Sequence, residues 1–301
     1  MATIEVEGIT KSFNSRRVVD EVSFSVEAGE IFGLLGPNGA GKTTTIRIIL
    51  DIFKPDSGRV AVLGGAMNTG KLDRIGYLPE ERGLYQETRL EETLVYLATL
   101  KGLSKAEAKR RVAEFLEKFE LAEHKKKKVR ELSKGMQQKA QLIATLVHKP
   151  DLVIVDEPFS ALDPINTQMV KELLREEKQR GTTVVMCSHQ MHQVQELCDR
   201  VLLIHQGRVM LYGQVDETRR RFAGREVLIS PSKDLPPVMP GVETVTMVNG
   251  GAHLTLNSGV SPQQLLRWLV EQKITVEHFE TVMPSLDEIF IRVVQNSGMS
   301  E

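Results

Sequence analysis

From Ile4 to Phe13 and from Val18 to Val26, apolar and polar residues alternate. Val22, Phe24 and Val26 stand against Ser23, Ser25 and Glu27, which predicts half-exposed antiparallel strands. At Ile31–Leu35 the alternation gives way to a continuous apolar run, read as a short buried strand with a helix beginning near Thr43. Short strands follow at Arg59–Leu63 and Arg74–Leu78, separated by turn residues. The period then changes to that of a helix. Ser104-Lys105-Ala106-Glu107 predicts a capping box, and Ala108, Val112, Phe115, Leu116 and Phe119 mark one face of the helix it opens. A second apolar face runs through Met136, Ala140, Ile143, Ala144 and Val147. Buried strands return at Leu152–Val155 and Thr182–Cys187, with a helix between them to about Arg180. A hairpin around Gln206-Gly207 joins Val201–Ile204 to Arg208–Tyr212.

This order predicts an α/β core with an antiparallel β subdomain in front and an α-helical subdomain inserted at about residues 82–150. Beyond Ala223 the pattern restarts on a smaller scale. Arg225–Ile229, Thr244–Val248 and His253–Leu256 read as strands, and Ser261–Lys273 and Ser285–Val294 as helices, a small α+β unit without a catalytic constellation. The expected division is 1–222 and 223–301.

Candidate chemistry sits where the buried strands end. Gly36, Pro37, Asn38, Gly39, Ala40, Gly41, Lys42, Thr43 and Thr44 fit a phosphate-binding loop residue for residue, with the Walker A positions at Gly36, Gly41, Lys42 and Thr43. Small residues let successive N–H groups turn inward as an anion nest, the helix that follows adds the positive end of its dipole, and Lys42 brings a point charge. The buried strand in Leu152–Pro158 ends in two acids, Asp156 and Glu157, whose burial needs a metal or a donor. Asp156 is typed to hold magnesium and Glu157 to orient or deprotonate a water. Ser133 and Gly135 open a helix and form a second anion-binding helix end. His189, at the tip of the strand before it, can sense a terminal phosphate. Phe13, ahead of the loop, reads either as a purine-stacking ring or as core.

The bulk numbers narrow the partners. Across 301 residues, 39 basic and 40 acidic side chains leave a net charge of -1, so no global field argues for nucleic acid, and none is expected as a partner. The run Lys125–Lys128 is read as a solvated helix end. Cys187 and Cys198 fit neither a disulfide framework nor a metal spacing. Met1–Glu5 lacks the features of a signal peptide and no run of 18 apolar residues occurs, so the chain is expected to be soluble by itself.

Taken together and in order, Gly36–Thr44, Leu132–Gln138, Asp156-Glu157, Asp163 and His189 resemble the ATPase domain of an ATP-binding-cassette (ABC) transporter, over about Ile4 to Gly213. Leu132-Ser133-Lys134-Gly135 resembles the family's signature motif, and Gly76–Tyr85 a branch of bacterial exporters with separate membrane subunits. The resemblance implies ATP and Mg2+ as cofactors and a P-loop NTPase fold. It also implies a second ATPase subunit paired head to tail, with a homodimer as the expected form, and an integral membrane partner. In that pairing Ser133, Gly135 and Gln137 act across the dimer, Asp163 lies in the loop between the two sites, Phe13 stacks on adenine and His189 meets the γ-phosphate. Thr43 and Asp156 become metal ligands. Glu80 stands where the family usually has Gln, which puts its metal role in question. The implied location is cytoplasmic, at the inner face of the membrane. Two rivals are a cassette ATPase acting on DNA or ribosomes and a nucleotide-regulated module without turnover.

Overall fold

The alternating stretches pair as expected in a computed structural model that describes residues 2–81, 83–223, 226–231, 235–236, 239–248, 251–257, 259–296 and 298. Strand β1 (Ala2–Phe13) lies antiparallel to β2 (Arg16–Glu27), with Phe13 opposite Arg16 across a two-residue turn. Asn14 and Ser15 both take positive φ (46 and 65) there, the turn whose twist matches paired strands. After β3 (Ile31–Leu35) and α1 (Lys42–Ile49), β4 (Ser57–Val62) adds to the other edge of β1, giving a sheet ordered β2-β1-β4.

The second sheet holds the chemistry. α2 (Thr69–Leu72) and β5 (Ile75–Leu78) precede three helices, α3 (Leu90–Leu100), α4 (Lys105–Lys118) and α5 (Lys134–Leu146). Then come β6 (Leu152–Asp156), α6 (Pro164–Gln179), β7 (Thr183–Ser188), α7 (Met191–Leu197), β8 (Arg200–His205) and β9 (Arg208–Gln214). The order β5-β6-β7-β3-β8-β9 is parallel except for the edge strand β9. Parallel strands covered on both faces are apolar throughout, which explains the unbroken runs at β3 and β6. The inner face of the small sheet and the central strands share one core, where Phe24 stacks on Phe32 with ring centroids 5.5 Å apart. Because the sheet is parallel, the ends of β3, β6 and β7 meet at one edge, where ligands of open α/β sheets collect.

The chain divides between Gln214 and Val215. Residues 215–222, assigned on sequence to the first unit, therefore belong to the second. They form α8 (Val215–Phe222), which is tied within that unit by Arg219 Nε donating to Pro284 O (3.0 Å). β10 (Glu226–Pro231), β11 (Val242–Val248), β12 (Gly251–Leu256), α9 (Pro262–Glu271), β13 (Val276–Thr281) and α10 (Leu286–Asn296) complete it. Its sheet is ordered β11-β12-β10-β13, and Val227, Ile229, Leu254, Leu265 and Leu269 fill its core. β13 escaped the sequence reading because charged residues interrupt its apolar positions. Ser104 caps α4, but Glu107 pairs with Arg110 and Arg111 instead of closing a capping box. Arg82 and Arg225 lie outside the described residues. Among those described, no helix is long and apolar enough to cross a membrane.

Candidate nucleotide site

The loop from β3 to α1 is shaped by close backbone approaches. A Cβ on Gly36 would strike the carbonyl of Ile204, and one on Gly41 would lie 2.6 Å from Val18 O, so neither position accepts a side chain. Gly41 caps α1 with φ 107 and without any side-chain acceptor, which leaves the first-turn N–H groups available to an anion. Lys42 is nearly buried. Its ammonium donates to the carbonyls of Gly36 (2.7 Å) and Pro37 (3.1 Å), folding the lysine back along the loop it serves.

The acids face it. Thr43 Oγ1 donates to Asp156 Oδ2 (3.1 Å), joining the two expected metal ligands. Burial pushes the Asp156 carboxyl up, while the Cys187 thiol and the Thr43 hydroxyl pull it back by donating to it. Burial also pushes the Cys187 thiol up, so that it serves as a donor. Glu157 follows β6 with φ 50, an uncommon conformation for a glutamate, fixed by its N–H on Cys187 O (2.9 Å). Its Oε1 accepts from His189 N (2.9 Å) and lies 2.7 Å from His189 Nδ1, and its Oε2 accepts from Ser188 Oγ (3.1 Å).

A cavity of about 230 Å³ is lined by Val18, the loop from Asn38 to Thr44, Glu80, Asp156 and Glu157. Three carboxylates share it with one ammonium, and the oxygens of Asp156 and Thr43 are hard donors. That set suits a divalent magnesium ion. A second cavity of about 620 Å³ continues past Pro37–Ala40 to Arg16, Arg17, His205 and Gln206. Phe13 lines neither cavity. It is 40% exposed at the end of β1, edge-on to Phe53 at 5.5 Å, so the core reading of this ring does not hold.

The signature residues lie apart from both cavities. Ser133 caps α5 by accepting from Met136 N (3.3 Å) and is exposed, and Gly135 sits beside Ala161 in the loop that leads to Asp163. Asp163 caps α6, and the N–H of Asn166 holds its carboxyl below the usual range. Gln137 differs from its expected role. Its side chain is buried, and its amide donates to Val129 O (3.2 Å) and Leu132 O (3.0 Å), so it shapes the Ser133 loop from within. Sequence reasoning missed Ser188 and Cys187, since only the register of β6 on β7, with Asp156 opposite Cys187, brings them to the acids.

Residues 19–160 match the ABC transporter family, and residues 213–294 match the C-terminal domain of DrrA1-3-like ATP-binding proteins. The ABC transporter ATP-binding protein YhaQ of Bacillus subtilis (strain 168) is 38% identical over 293 residues, covering 97% of this chain and 98% of that protein. The chain belongs to the ATP-binding subunits of ABC transporters. Another member, the Nod factor export ATP-binding protein I of Rhizobium sp. (strain N33), is 32% identical over 96% of each chain. A solved ATP-binding subunit of an ABC transporter superposes with a TM-score of 0.69 at 34% identity, over 73% of this chain and 93% of its own. The P-loop NTPase fold follows, and membership makes this ABC subunit an ATP-binding ATPase of a kind that works with a membrane subunit. These kinships favour a transport ATPase over one acting on nucleic acid.

Proposed function

We propose that this ABC subunit hydrolyses Mg-ATP at two sites shared between a head-to-tail pair of copies and thereby drives export through a separate membrane subunit, from the cytoplasmic face. One observation carries the shared site. Lys42, Thr43, Asp156 and Glu157 surround one cavity, while the exposed Ser133 and the half-buried Gly135 form a helix end outside it. Each chain thus presents a Walker half and a signature half at different places.

In this reading the loop N–H groups and Lys42 bind the phosphates, and Phe13 stacks on the base. Thr43 and Asp156 would hold magnesium, with Glu80 as a further oxygen donor, and the ion would offset the negative charge of the phosphates. Glu157 accepts a proton from the attacking water as its oxygen bonds to γ-phosphorus and the bond to the bridging oxygen of ADP breaks. His189, whose side chain is about half exposed, meets an oxygen of the γ-phosphate. The partner's copy of the Ser133 helix end closes on the γ-phosphate, and Asp163 sits in the loop between the two sites. In this reading the membrane subunit docks beside Glu80–Tyr85, where Tyr77, Leu84, Leu97 and Leu100 line a groove of about 360 Å³.

The test is Glu157→Gln. Turnover is expected to fall by about 10² to 10⁴-fold with ATP binding retained, and size-exclusion chromatography with Mg-ATP is expected to show a dimer. Turnover near wild type removes Glu157 from the mechanism, and a monomer under those conditions overturns the shared site. Co-purification with a hydrophobic subunit from membranes tests the coupling.

A further inference from the structure

We infer that Ser188 is a positioning residue for hydrolysis, holding the Glu157 carboxylate in the orientation from which it takes the proton of water. The inference rests on Glu157 being the base. Ser188 ends β7 and is fully buried. Its hydroxyl lies between two groups of fixed sense. The N–H of Gln190 donates to Oγ (3.0 Å), and Oγ lies 3.1 Å from Glu157 Oε2. A carboxylate only accepts, so the one hydroxyl proton points at Oε2.

The two oxygens of Glu157 are therefore held differently. Oε1 takes the backbone N–H and the ring of His189, and the side chain of that residue is about half exposed, free to turn toward a ligand. Oε2 is held by a hydroxyl that is buried and anchored from behind. When His189 turns to a phosphate, the Ser188 bond still fixes the plane of the carboxylate. Without it, rotation about the last torsion of the glutamate is opposed only by the Oε1 contacts, because that torsion is intrinsically broad.

Losing a hydrogen bond to a charged group predicts a fall in kcat of about 10- to 100-fold for Ser188→Ala. KM for ATP is expected to stay within about twofold, since Ser188 lines neither cavity at the loop. Ser188→Thr keeps the hydroxyl and is expected to restore most of the turnover. The decisive measurement places Ser188→Ala in the Glu157→Gln background of the full chain. A positioning role predicts little further loss there, whereas a packing defect predicts the same loss in both backgrounds. Should Ser188→Ala melt below the assay temperature, Ser188→Cys, close in size but a much weaker donor, carries the same prediction. An unchanged kcat in the alanine variant, or equal losses in the two backgrounds, overturns the inference. If Glu157→Gln alone keeps wild-type turnover, it is the reading of Glu157 that falls.

Discussion

Two helices of this subunit begin with small residues and an open N-terminus, and they are finished in opposite ways. α1 starts at Gly41 with no side-chain cap, its Lys42 nearly buried and two acids at hand. α5 starts at Ser133, which already caps one N–H, with Ser133 and Lys134 exposed and outside the cavity that Asp156 and Glu157 line. Both ends carry a positive dipole. Only the first has the parts for chemistry. The comparison teaches that an anion-binding helix end gains a function from what surrounds it; in the proposed pairing, what α5 lacks in its own chain is what α1 offers in another.

The largest effects test that complementarity directly. Lys42→Ala is expected to abolish tight ATP binding and hydrolysis, and Ser133→Arg to abolish hydrolysis while its own loop still binds ATP with an unchanged Kd. Mixing the two inactive variants is the sharper measurement. A mixed dimer unites the intact loop of the Ser133→Arg chain with the intact α5 of the Lys42→Ala chain, restoring one of its two sites, so turnover reappears at up to about half the wild-type rate per mixed dimer. If the mixture stays inactive while forming dimers, the two helix ends do not complete one another.

Next in size is a pH effect confined to the far end of α5. His148 lies just beyond that helix, its Nε2 3.3 Å from Ile75 O and its Nδ1 buried without a partner. Burial pushes its pKa down to about 4, Lys101 acts in the same direction, and the Ile75 carbonyl and Asp73 oppose the shift. Between the ordinary value of 6.5 and 4, the unfolded chain binds a proton that the folded chain refuses. Stability is therefore intact above pH 6.5 and falls as pH drops through that window, by roughly 3 kcal/mol in all. Urea midpoints against pH are expected to show this slope, flattened in His148→Gln. Hydrogen exchange at pH 5 is expected to deprotect α5 before α1, and equal deprotection would break the contrast.

Gln137→Leu tests how α5 keeps its open end. The change takes the amide from the carbonyl of Leu132, at about 1–3 kcal/mol, and from that of Val129, which keeps the N–H of Leu132. Hydrolysis is expected to weaken through the loosened Ser133 loop, with the Kd for ATP unchanged. A shifted Kd would mean that the two ends are not separate.

The two regions were also unequally legible in the sequence. The α1 end could be read because a phosphate cradle needs glycine where backbones touch, and Gly36 and Gly41 are such contacts. Asp156 and Glu157 were legible because acids that end a buried strand are costly. The hold on Glu157 was not, since it depends on a positive φ at Glu157 and on the register of two parallel strands, neither written in local residue types. At α5, Gln137 reads as part of a recognition motif, and its inward turn answers the carbonyl of Leu132, a contact that local residue types do not show. In the second unit, α8 was assigned to the wrong side of the division because its ties to Pro284 span 65 residues.

The smallest expected effect concerns Phe13, which decides how much of the α1 site lies beyond its phosphate cradle. The ring is only partly exposed and already makes an edge contact with Phe53, so a stacked purine gains one face and displaces little water. That places Phe13→Ala at the low end of aromatic–base stacking, about 1 kcal/mol, or about a fivefold rise in the Kd for ATP. Inorganic triphosphate, which has no base, separates stacking from a general loosening of the loop. Its binding is expected to be the same in both proteins, and a parallel fall would show that Phe13 braces the β1–β2 turn beside Arg16 and that the cradle alone holds the nucleotide.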